Sequence, residues 1–206
     1  MKWLLVIAMC GTAAAEKIVI MEPTIATACP KAATWPQVLA CFKKHGLTAT
    51  SVGTLGDATL IAVTVNDTLH ELEGFALYVR AESGRESGTW RLGGLLQEGG
   101  NLADFDVVRL EHLPKRGYRF DVAASQPSSA SIDGVTSTPS IYRQVMASFC
   151  SGESYRCMQL IPKCEQLVHG QAIIAFDGSI TVHDNILSLK GAGSVPACSA
   201  SSDYTF

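Results

Sequence analysis

Between Leu47 and Ala124 the chain sets six β-prone runs so close together that few sheet arrangements can accommodate them. The runs are Thr48–Val52, Thr59–Val65, Phe75–Arg80, Thr89–Leu95, Asp106–His112 and Tyr118–Val122, separated by Gly, Asp and Asn. A parallel crossover consumes about a dozen residues or more, and the connections here are short. An antiparallel meander is therefore predicted. Within it, Phe75, Leu77 and Val79 alternate with Ala76, Tyr78 and Arg80, which predicts one buried and one wetter face.

Two helices are expected to frame these strands. Thr34-Trp35-Pro36-Gln37 has capping-box spacing with proline tolerated in the first turn. Trp35, Val38, Leu39 and Phe42 then recur on one helical face, and Lys43, Lys44 and His45 gather before Gly46. This predicts a helix over 35–45. Thr138-Pro139 resembles a second start, and Ile141, Val145 and Phe149 at spacing four predict a helix over 139–150. The strings Gln37-Val-Leu-Ala-Cys-Phe42 and Gln144-Val-Met-Ala-Ser-Phe149 are alike as any two apolar helix faces can be by chance, with duplication of a helix-plus-sheet unit as the lesser alternative. Further strands are expected at Gln171–Phe176, Ser179–Val182 and Ile186–Leu189, with turns at Asp177-Gly178 and His183-Asp184-Asn185.

The expected fold is thus α+β, with mainly antiparallel sheet meanders, each preceded by a helix, and stapled by disulfides. One lobe spans 16–122, a second 138–206, and residues 123–137 have linker-like composition.

Residues 1–15 read as a signal peptide, with Lys2, an apolar run from Trp3 to Cys10, and Ala13 and Ala15 before Glu16. The apolar run is shorter than the roughly 20 residues of a membrane-spanning helix. A secreted or periplasmic location follows as the expectation, from a bacterial or a eukaryotic source alike. Lipidation at Cys10 fits poorly, because Met9 occupies the position where a small residue is required. Export would leave six cysteines, Cys29, Cys41, Cys150, Cys157, Cys164 and Cys198, in an oxidising space. Six allow about 15 pairings. Nearest neighbours suggest Cys29 with Cys41, Cys150 with Cys157, and Cys164 with Cys198.

Without Lys2 the charge balance is 15 basic against 19 acidic residues, net −4. That argues against a nucleic-acid-binding surface, which needs a basic domain or stripe. No metal or other cofactor is expected, since the cysteines lack zinc-knuckle spacing. Neither a nucleophile elbow, a zincin helix nor a phosphate loop occurs.

Arg109, His112, Lys115, Arg116 and Arg119 surround an expected hairpin tip at Leu113-Pro-Lys-Arg-Gly117 and form the most distinctive charged feature. Such residues keep an exposed hairpin soluble and guard it against edge pairing, and as a binding feature they could grip an anionic ligand or an acidic partner. His70 beside Glu71, the Asp104/Asp106 pair and His183-Asp184 are read as solvated loop, strand-entry and turn residues. Tyr78, Trp90 and Tyr118 are expected in the sheets, and Asn66-Asp67-Thr68 is a glycosylation sequon. The expected function is a non-enzymatic exported protein that binds a protein, peptide or anionic ligand. The alternative is an exported hydrolase with a dispersed site drawn from His70, His112, His169 or His183 and nearby carboxylates.

Overall fold

A computed structural model describes residues 21–65, 72–82, 84–97, 104–114, 116–132, 135–152, 157–183, 186–193 and 202–205. The expected signal peptide, the sequon, His70, Lys115 and Cys198 lie outside them. The first half holds helix α1 (Met21–Ala28), strand β1 (Lys31–Ala32), helix α2 (Trp35–Lys44), and strands β2 (Leu47–Leu55), β3 (Ala58–Val65), β4 (Leu72–Arg80) and β5 (Trp90–Gln97). The second holds β6 (Asp104–Leu113), β7 (Gly117–Ile132), β8 (Val135–Cys150), β9 (Cys157–Val168), β10 (Gln171–His183), β11 (Ile186–Gly193) and β12 (Ser202–Thr205). They form two antiparallel sheets, one of five strands in the order β1-β5-β4-β3-β2 and one of seven in sequential order from β6 to β12.

The α+β expectation is corrected by these elements. Of the described residues 74% are strand, and none of those from β6 onward is helical. The helix expected over 35–45 forms as α2, with Gln37 Oε1 accepting from the backbone N–H groups of Thr34 at 3.2 Å and Ala33 at 3.0 Å. The expected helix over 139–150 is instead most of β8. Its physical cause lies in the spacing, because residues four apart share one face of a strand as well as of a helix. Ile141, Tyr142, Val145 and Phe149 are also good strand formers, and β7 and β9 lie ready on either side. The duplication falls with the helix, since the two similar strings adopt different secondary structures.

Both faces of the five-stranded sheet are buried. Leu60, Ala62, Phe75 and Leu77 meet Phe120, Val122 and Met146 of the other sheet. Ile61, Val63, Ala76 and Tyr78 lie under Ile25, Val38 and Phe42 of the helices. The face expected to be wetter is therefore a second core, because α1 and α2 cover it. The result is three layers: helices, short sheet, long sheet.

Residues 123–132 and 135–137, the stretch with linker-like composition, run within β7 and β8. These two strands make a hairpin of 16 residues a side. In the next strand Val145 pairs with Lys163 while Ala147 pairs with Leu160, so β9 uses one residue more than β8. Pro162 lies in that bulge, where its missing N–H costs no ladder bond. Beyond it β11 approaches β9 although β10 separates them in the sheet. Leu187 and Leu189 thereby join Ala147, Phe149 and Leu160 in a further core.

The turn expected at Asp177-Gly178 does not form, and β10 runs straight through it. Gly178 pairs with Gly191 across the ladder, and a Cβ on Gly178 would come within 2.9 Å of the Phe176 ring. Glycine here makes room for an aromatic side chain rather than bending the backbone. Cys29–Cys41 and Cys150–Cys157 are disulfides, as expected. Cys164 is disulfide-bonded as well, while its expected partner Cys198 is outside the described residues.

Candidate binding site

Strand register brings three residues from each of five strands into one transverse band. Pairing aligns Phe105, Ala124, Gln144, Cys164 and Phe176 in a central row. One flanking row holds Asp104, Ser125, Arg143, Glu165 and Ala175, and the other Asp106, Ala123, Val145, Lys163 and Asp177. Together these rows line a trough of about 510 Å³. Side chains alternate across a sheet, so the two flanking rows share one side and the central row takes the other. Phe105 and Ala124 pack towards the short sheet, with Phe105 edge-on to Phe75 at 5.4 Å between ring centres. The open side therefore carries the flanking rows, where Asp104, Asp106, Arg143, Lys163 and Asp177 are exposed.

Both cations in this band are already partnered. Arg143 stands 3.3 Å from Glu165 and Lys163 3.1 Å from Asp177, each across neighbouring strands. Both pairs are exposed and contribute little to stability. Asp104 and Asp106 have no ion-pair partner among the described residues. Ala123, Val145 and Ala175 provide apolar floor between the charges.

The basic hairpin expected from sequence forms, but its charges do not gather. Arg119 is only 8% exposed and gives Asp121 a two-pronged pair, Nε to Oδ1 at 2.7 Å and the terminal nitrogen to Oδ2 at 2.8 Å. Its guanidinium also lies over the Phe149 ring at 5.3 Å. Arg109 sits 3.7 Å from both Asp121 and Glu111. His112 stacks against Tyr118 with 5.0 Å between ring centres, and Arg116 lies in the turn. Two of the five residues thus engage carboxylates of their own hairpin.

The histidines of the hydrolase alternative stand apart. His169 occupies the β9–β10 turn with φ of +50°, whereas His183 ends β10, roughly 40 Å of extended strand away. No histidine lines the trough. His45 lies close to Cys29 and Cys41, but those sulfurs are bonded to each other and are not thiolate ligands.

The aromatic residues belong to the scaffold. Tyr78 is fully buried and donates its hydroxyl proton to the Cys29 carbonyl at 2.6 Å; burial holds its ionisation well above the ordinary range. Trp90 meets Trp35 at 4.9 Å. Tyr118 is half-buried, and burial, then Asp57 and Glu82, raise its pKa. Asp104 and Asp106 were noticeable in the sequence as an i, i+2 pair. Arg143, Lys163 and Glu165 carried no local signal and Asp177 only that of a turn, because register across five strands is what assembles them. Set against known proteins, the chain matches no family model, no curated protein and no solved structure.

Proposed function

We propose that this chain is an exported, non-enzymatic binding protein whose ligand occupies the trough across β6 to β10. The carrying observation is the trough of about 510 Å³, lined by three residues from each of five paired strands. Small-molecule sites typically enclose roughly 300 to 1,000 Å³, with apolar walls and a few polar groups that set orientation. Strands hold such a lining more rigidly than loops, which lowers the ordering cost of binding. Export is supported by the signal-like start and by the disulfides.

The basic hairpin becomes a secondary candidate in this reading. Among the described residues of the hairpin, Arg116 is the arginine that faces no carboxylate, since Asp121 and Glu111 engage Arg109 and Asp121 engages Arg119. A neutral environment-sensitive dye such as Nile red separates the two surfaces. Val145→Trp, which fills the trough floor, is expected to abolish saturable dye binding, and Arg116→Ser to leave it intact. Equal binding by Val145→Trp and the parent protein would remove the trough from consideration.

A further inference from the structure

We infer that the trough takes a cationic amphiphile, with its positive head over Asp104 and Asp106 and its apolar body across Ala123 and Val145. The inference rests on the trough being the ligand site. What selects the ligand class is the distribution of unbalanced charge and exposed apolar surface around that cavity.

Arg143 and Lys163 each face a carboxylate on the next strand, Glu165 and Asp177. An anionic head placed there would have to displace an existing partner. Asp104 and Asp106 project from the same side of β6, roughly 7 Å apart, and no cation among the described residues answers them. The β6 end of the trough is therefore its only end with uncompensated charge among those residues, and that charge is negative.

Apolar surface continues on the other side of the Ser125–Arg143–Glu165 row. Pro127 pairs with Ile141, which pairs with Leu167. Ile141 is 47% exposed, and Ile173, in the β10 irregularity beside Leu167, is 41% exposed. Alternation places Pro127, Ile141 and Leu167 on the same side of the sheet as Val145 and Ala123. From β6 to β10 the trough spans four strand spacings, roughly 19 Å. A linear ligand with one charged end and a hydrocarbon body matches that layout better than a compact polar one.

Three single-chain probes of equal length, octyltrimethylammonium, octanoate and octyl glucoside, kept below micelle-forming concentrations, test this by titration calorimetry on the mature chain. Octyltrimethylammonium is expected to bind one per chain and more tightly than either other probe. Asp104→Asn/Asp106→Asn should weaken that binding about fivefold while leaving octyl glucoside unchanged, as expected for partly screened surface charges. Val145→Trp should abolish binding of every probe. Octanoate binding as tightly as the cation, or no response to the paired Asp changes, would overturn the cationic preference while leaving the trough as the site. Probe binding that survives Val145→Trp would overturn the trough reading itself. Both aspartates are exposed, so unchanged far-UV circular dichroism is the folding control.

Discussion

Gly94 of β5 lies directly against Cys150 of β8, so closely that a Cβ on Gly94 would stand 2.5 Å from the Cys150 sulfur and 2.6 Å from that of Cys157. The disulfide thus does more than close the β8–β9 turn. Its sulfurs fill the space where the two sheets meet, next to a backbone bond from Gly152 N–H to the Gly93 carbonyl at 3.1 Å. Gly94→Ala should destabilise the protein by about 2 kcal/mol, since overpacking of a rigid contact forces backbone shifts. In a Cys150→Gly/Cys157→Ala background the same change should cost less than about 1 kcal/mol, because both sulfurs and the Cys150 Cβ, which would stand 2.7 Å from the new methyl, are gone. Urea unfolding of the four proteins measures this coupling; additive costs would show that Gly94 and the disulfide are independent.

Asp121 is held by two arginines, and one of them is out of water. Asp121→Asn leaves Arg119 buried beside Arg109 without its carboxylate, at an expected cost of about 3 kcal/mol. Arg119→Met/Asp121→Leu removes both charges and should be less damaging than the single change. A double variant less stable than Asp121→Asn would show that the pair stabilises the fold beyond satisfying itself.

Alkaline pH should unfold this protein partly through Tyr78. Its folded-state pKa lies above the ordinary value of 10.0 because burial disfavours the phenolate. A raised folded pKa means that stability is fully present below pH 10 and falls above it, as the unfolded phenol ionises and the folded one stays protonated. Tyr78→Phe should lose about 1 kcal/mol at neutral pH with the hydrogen bond to the Cys29 carbonyl. It should also show a shallower decline above pH 10. Denaturant midpoints between pH 8 and about 11 check both; parallel curves for the two proteins would refute the assignment.

Among the described residues the β7–β8 hairpin extends past its neighbours, with pairing to β6 ending at Ser125 and pairing to β9 at Ile141. Pro127 and Pro139 are exposed on these overhanging arms. A proline lacks the N–H that an incoming strand would use, so both guard the edges against intermolecular pairing. Pro127→Thr/Pro139→Thr should raise the rate of aggregation at constant folding stability, as read by light scattering beside thermal unfolding.

Much of this architecture was legible locally. The strand cadence from Thr48 to Val122 fixed antiparallel pairing, because short connections leave no room for crossovers. Thr34 to Gly46 carried a complete helix, with cap, apolar face and basic end. The pairings Cys29–Cys41 and Cys150–Cys157 followed from proximity in the chain. The trough was not legible, because its fifteen lining residues come from five strands and share no sequence window.

Gln37–Phe42 and Gln144–Phe149 mark the limit most sharply. By itself the sequence determined which residues are apolar, which can pair, and how short the connections must be. A four-residue apolar spacing satisfies both a helix and a strand, and local propensity separates them weakly. Only tertiary structure decided: Phe42 could bury itself as part of an isolated amphipathic helix resting on Tyr78, with ring centres 6.1 Å apart. Phe149 reached burial as a strand residue paired with Arg119 of β7 and Met158 of β9, under β11, where neighbouring strands supply the backbone partners that a helix would otherwise have found within itself.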